Sequence, residues 1–135
     1  MSMHERTGVR PLYYNDWHRP PTLPDRVRMI DIDCVEYDPK TSEPVRIAET
    51  VRTWTGKPTT VLRNIARKLN VEAWLIVYFL QPTEDGNDLT IGFFEAKIVY
   101  PSEGKLQRYS AEEFAKFWVE SFDALCAKAR GETAR

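Results

Sequence analysis

The sequence predicts a mixed α/β domain. Its expected centre is a mixed β-sheet of four to five strands, with a helix after the second core strand and an amphipathic helix at the C-terminus. Three observations carry that expectation. Residues 29–37 and 45–53 alternate apolar and polar side chains with a period of two, as half-buried strands do. Trp74 to Leu80 (WLIVYFL) is apolar at every position, which suits a strand buried on both faces. Residues 60–69 and the segment after Ser110 repeat their apolar side chains at helical spacing.

The elements follow in order. Residues 1–28 hold Tyr13, Tyr14, Trp17, His18 and Arg19 before the proline run PPTLP at 20–24, so an extended arm is expected there. In 29–37, Ile30, Ile32 and Cys34 point one way, and Asp31, Asp33 and Val35 the other. Asp38-Pro39, Ser42 and Pro44 make a turn. In the returning strand, 45–53, Val45, Ile47, Glu49 and Val51 share one face, and Arg46, Ala48, Thr50 and Arg52 the other. Gly56 and Pro58 end it, and a helix over 60–69 stops at Asn70. A strand–helix–strand step makes Trp74 to Leu80 parallel to the strand carrying Glu49. The cluster EDGND at 84–88 is a turn, 89–100 a further strand and 106–109 a short one. Ser110 with Glu113 forms a capping box for the last helix, whose apolar face carries Phe114, Phe117, Trp118, Phe122 and Leu125. One domain is expected over 29–130, with a frayed tail at 131–135.

A chain of 135 residues that is 42% hydrophobic is enough for one packed core. The longest apolar run has seven residues, too few to span a bilayer, and no apolar leader stands at the N-terminus. Cys34 and Cys126 are too few for a disulfide framework, so reduced thiols in a cytoplasmic protein are expected. No CxxC, HExxH or Cys/His cluster points to zinc. Charge is unevenly placed. Asp31, Asp33, Glu36, Asp38 and Glu43 crowd residues 29–45, whereas Arg46, Arg52, Lys57, Arg63, Arg67 and Lys68 crowd 46–68. An acidic cluster beside a basic segment suits a site for a cation and a phosphate backbone, although any one of these charges is more often plain solvated surface.

Glu49 is the most informative residue, because a carboxylate on an apolar face needs a metal or an ionic partner, such as a nearby arginine. Two carboxylates on neighbouring antiparallel strands meet at about 5 Å, which suits one Mg²⁺ or Mn²⁺ with water and phosphate as further ligands. Asp33 and Glu49 are the candidates, with Asp31 as a further ligand and Glu36 and His18 as auxiliaries. Such an ion stabilises charge on phosphoryl oxygens and lowers the pKa of an attacking water.

The order of strand with Asp, strand with Glu, helix and apolar strand resembles the core of the PD-(D/E)XK nuclease superfamily, the restriction-endonuclease-like fold. The string MIDIDCVEYD…EPVRIAETV is also similar to small bacterial and phage proteins of that superfamily. The resemblance covers residues 12 to 80 and rests on short motifs. It implies that Asp33 is the first metal-binding acid, that Glu49 is the acid of E-x-K, and that the helix over 60–69 faces nucleic acid.

Where that motif has lysine, this chain has Val51. Arg52, Lys57 or an arginine of the 60–69 helix is the expected substitute. Arg46, Arg63, Arg67 and Lys68 are the expected phosphate contacts. A literal E-x-K stands at Glu95-Ala96-Lys97, but it reads better as the exposed charged face of an edge strand. The function expected is metal-dependent cleavage of nucleic acid. The alternative is an inactive relative that binds nucleic acid or a protein partner, for instance as a phage or mobile-element accessory factor. A homodimer is compatible with both. A third reading is an unrelated α+β interaction domain whose acids are surface charge.

Overall fold

The computed structural model describes residues 21–26, 28, 30, 32–51, 54 and 58–132. The chain divides into two compact units, Met1–Asp31 and Ile32–Arg135. Of the first unit, the described residues form turns and irregular backbone around Pro21 and Pro24. Tyr13, Tyr14, Trp17 and His18 lie outside the described residues.

The second unit is a five-stranded mixed sheet between two helices. Its elements are β1 (Cys34–Tyr37), β2 (Pro44–Thr50), α1 (Thr60–Leu69), β3 (Glu72–Pro82), β4 (Leu89–Tyr100), β5 (Gln107–Ser110) and α2 (Ala111–Ala129). The strands lie in sequence order, β1-β2-β3-β4-β5. Among the described residues β2 and β3 pair in parallel, and β1–β2, β3–β4 and β4–β5 are antiparallel. That is the arrangement expected when a helix joins β2 to β3 and short turns join the rest.

Each face of the sheet is closed by one helix. Ile47, Ala73, Leu75 and Val99 pack with Leu62 and Ala66 of α1, and Ile32, Val51 and Trp54 join that layer. Ala48, Trp74, Ile76 and Ala96 pack with Phe114 of α2, joined by Phe117 and Trp118. Alternate residues of β2 and of the first half of β3 therefore serve two different cores, whereas Tyr78 and Leu80, expected to be buried, are exposed because the helices do not reach that end of β3. The aromatic layer under α2 is closely interlocked. Trp74 meets Trp118 edge-on at 5.3 Å between ring centroids, and Phe94 stacks on Phe114 at 4.2 Å.

The helix ends follow local chemistry. Asn70 takes the left-handed conformation, and its N–H bonds to the Ala66 and Arg67 carbonyls. Ser110 and Glu113 form the reciprocal capping box of α2. At the far end, Gly131 has φ +74, and the Gly131 and Glu132 N–H groups bond back to Lys128 and Ala127. Residues 131 and 132 thus complete the helix cap where a frayed tail is expected from sequence; only glycine takes that φ without strain.

Two expectations need correction. The strand over 89–100 is not an edge, because it lies between β3 and β5; the edges are β1 and β5. The Arg46 face of β2 is not open to solvent, because α2 covers it. Among the described residues no helix is long and apolar enough to cross a membrane.

Candidate functional site

Glu49 lies at the carboxyl end of β2, one residue before the strand stops. It shares the α1 face with Ile47 and Val51 and is 4% exposed. It stands opposite Leu75 in the parallel register. The carboxyl ends of parallel strands are where α/β sheets build ligand sites, because the chain leaves the sheet there and the following helix starts nearby.

Asp33 precedes β1. The register pairs Cys34 with Ala48, so a regular ladder would set Asp33 against Glu49. The backbone instead bends at Asp33. Its Oδ2 accepts hydrogen bonds from the Thr50 N–H at 2.8 Å and the Thr50 hydroxyl at 2.9 Å. Asp33 therefore supplies the acceptor that a longer β1 would have supplied. Its carboxylate is held beside β2, one residue from Glu49. Asp31, Arg52 and Lys57 lie outside the described residues. Among the described residues no group of three or more His, Cys, Asp or Glu side chains stands together as a metal site.

Val51 continues the parallel ladder, its N–H bonding the Ile76 carbonyl at 2.9 Å, and its side chain packs into the α1 layer. It therefore occupies core volume on the face that Glu49 uses.

Two residues predicted for the site are engaged elsewhere, on the α2 side of the sheet. Arg46 is not a phosphate contact. It is 0% exposed, and its guanidinium lies over the Trp118 ring at 3.5 Å. Its Nη1 donates to Ser121 Oγ at 2.8 Å, its Nη2 to the Trp118 carbonyl at 3.1 Å, and its Nε to Glu36. Glu36 is not an auxiliary of Glu49 either. Both of its oxygens are engaged on the α2 side of the sheet, Oε1 by Arg46 and Oε2 by Trp118 Nε1–H at 2.8 Å.

The basic side chains of α1 are where helical periodicity places them. Arg63, near the start of the helix, is 47% exposed, and its Nη2 lies 3.9 Å from Glu103 Oε1. Arg67 and Lys68 are exposed in the last turn, where they also complement the helix dipole.

The residues that sequence reasoning set aside are Glu95 and Lys97. Leu75 pairs with Lys97, and Val77 with Glu95. Partners in register share a face. Lys97 and Glu95 therefore project on the α1 face, Lys97 in line with Glu49 through Leu75 and Glu95 beside Val77. Trp54, at the end of the same face, donates its Nε1–H to Glu95 Oε1 at 3.0 Å. Lys97 Nζ lies 3.3 Å from Glu103 Oε1 and 5.9 Å from the Trp54 ring centroid. The usable signal was the strand order: once β4 is placed beside β3 rather than at an edge, its E-x-K falls on the Glu49 face.

A cleft of about 620 Å³ lies elsewhere, at the amino ends of β2 and β3, lined by residues including Asn70, Glu72, Tyr100 and Lys128. It shares no residue with the Glu49 row.

No family model matches this sequence, and no curated protein or solved structure matches it either.

Proposed function

We propose that this chain is a metal-dependent nuclease of the PD-(D/E)XK type, hydrolysing phosphodiester bonds in nucleic acid. The observation that carries the reading is Glu49, a carboxylate held at 4% exposure among apolar side chains at the carboxyl end of a parallel strand. A buried carboxylate is kept where it is paired or coordinates a metal, and the carboxyl end of a parallel strand is where α/β sheets place ligand-binding groups. Asp33 beside it fits the same role, because a ligating carboxylate is normally oriented by hydrogen bonds of its own, and Thr50 supplies two.

Asp33 and Glu49 fit Mg²⁺ or Mn²⁺ in kind and number: hard oxygen donors, with one or two protein carboxylates and the remaining positions left to water and substrate. A bound ion would neutralise charge on the phosphoryl oxygens and lower the pKa of the attacking water. The exposed Arg63, Arg67 and Lys68 of α1 attract and register the phosphate backbone.

The test is cleavage of plasmid and oligonucleotide substrates in Mg²⁺ or Mn²⁺. Glu49→Gln keeps the shape and removes the charge, and is expected to lower the rate on the order of 100-fold or more. Equal rates for the two proteins would overturn the reading. Val51 favours a second reading, an inactive relative that binds nucleic acid or a protein, because valine carries no charge to the reacting phosphate. Salt-sensitive oligonucleotide binding without cleavage in either metal is its signature.

A further inference from the structure

We infer that the far end of the β3–β4 ribbon docks α1 of a second copy of this chain. The inference does not depend on the nuclease reading.

The ribbon is where the sheet outruns its cover. The described pairing of β3 with β2 ends at Ile76, and that of β4 with β5 starts at Phe93. Beyond those points β3 and β4 pair on with each other, Leu80 with Ile91 and Pro82 with Leu89. Partners share a face, and alternation puts Tyr78, Leu80 and Pro82 on the face where Ile76 meets Phe114 of α2. But α2 begins beside Phe93, the partner of Ser110, and runs back toward Arg46 of β2. Tyr78, Leu80 and Leu89 are left 45%, 55% and 59% exposed. No charged residue lies between Val77 and Pro82, or between Leu89 and Phe94. A continuous uncharged strip of this kind marks an interaction surface. The turn that carries it is firmly built. Gly86 has φ +74, the Thr83 N–H bonds to the Asp88 carbonyl at 3.0 Å, and the Thr83 hydroxyl donates to Asp85 at 2.6 Å.

Charge selects the occupant. Glu84, Asp85 and Asp88 stand at the tip of the ribbon, and Glu112 and Glu113 in the first turn of α2 stand at its base. The complement is an apolar stripe accompanied by basic side chains, whereas a phosphate backbone is repelled. Helix α1 has that form. Val61, Ile65 and Leu69 follow one another at four-residue spacing, and Val61 and Leu69 are half-exposed. Arg63, Arg67 and Lys68 are exposed on the same helix, and its first turn holds no acid. The lengths agree. Val61 to Leu69 spans about 12 Å of helix, and Tyr78 to Pro82 about 13 Å of strand.

A helix laid on this strip extends the layering that α2 provides within one chain. The strip and the α1 stripe are different surfaces on opposite faces of the sheet, so copies associate head to tail. A docked copy competes with phosphate for the basic side chains of α1.

Sedimentation velocity of the full chain tests this. The mean mass of wild type is expected to rise with protein concentration at low salt and to fall back as salt is added. Leu80→Ser is expected to weaken association roughly tenfold. Glu84→Lys with Glu112→Lys makes both surfaces basic, and Arg67→Glu with Lys68→Glu makes both acidic. Each of these proteins alone is expected to stay monomeric, and an equal mixture to associate, because each then offers the charge the other lacks. All the substituted side chains are exposed, and circular dichroism with thermal melting checks that each variant folds. A wild type that is monomeric throughout overturns the inference. So does association that Leu80→Ser leaves unchanged, or two folded charge-reversed proteins that do not recombine.

Discussion

Arg46 and Glu49 stand three residues apart on β2 and face opposite helices. Their fates show how a charged residue is retained inside a protein. The Arg46 guanidinium is held by Glu36, Ser121 and the Trp118 carbonyl, with the indole beneath it. Planar, delocalised and weakly hydrated, arginine suits such a place better than lysine. Arg46→Ala would leave Glu36 and the Trp118 carbonyl without that donor. Because Glu36 is partly exposed, the expected loss lies near the lower end of the roughly 3–5 kcal/mol seen when a buried pair loses one member. Replacing both partners, Arg46→Met with Glu36→Leu, should recover most of it. Urea unfolding of the single and double variants checks both, and a single-variant loss below about 1 kcal/mol would mean the cluster is not structural. Periodicity alone placed Glu49 on the apolar face of β2. It could not show that the Arg46 face was equally buried, because the cover comes from a helix more than 60 residues later in the chain.

At the scale of elements, what was legible was what is local. The capping box at Ser110 and Glu113 is spelled within four residues, and the helix begins where it says. Ser110→Ala removes the acceptor for the Glu113 N–H at 3.0 Å. It is expected to lower unfolding free energy by about 1 kcal/mol, measured by chemical denaturation. No measurable change would show that another acceptor replaces the hydroxyl. The bounds of α1 also follow from its own stripe and from Asn70. Strand lengths followed less well. β1 is only four residues long because the backbone leaves the ladder at Asp33. The place of β4 was misjudged, since a strand's neighbours are set by pairing rather than by its own alternation. The same error put Glu95 and Lys97 on a solvent face.

At the scale of the molecule, one ion pair ties the β1–β2 turn to the end of α2. Asp38 is buried and accepts from Arg130 Nε at 2.6 Å and Nη2 at 2.9 Å, and from the Lys40 N–H at 3.0 Å. The Arg130 hydrogen bonds, aided by the Lys40 N–H, hold its pKa down to about 2. A carboxyl depressed on folding stabilises the protein above its unfolded value of about 4 and loses that contribution as pH falls toward its folded value. Wild type should therefore lose stability between about pH 4 and pH 2, and Asp38→Asn should be less stable at neutral pH and flatter across that window. Urea midpoints at several acid pH values measure this. A parallel acid limb in both proteins would assign the dependence to other carboxyls.

The sequence by itself determined the two helices, the left-handed stop of α1 at Asn70 and the capping box of α2, the alternation that turns Glu49 inward, and the apolar first half of β3. All of these are set by neighbours within a few residues, where steric and hydrogen-bonding preferences act directly. Tertiary structure alone decided which faces are covered, and so made Arg46 and Glu36 a structural cluster under α2. It alone aligned Lys97 with Glu49 through Leu75. The reason is physical. Burial and cross-strand register are properties of segments brought together from far apart in the chain, and no local pattern encodes which segment will arrive.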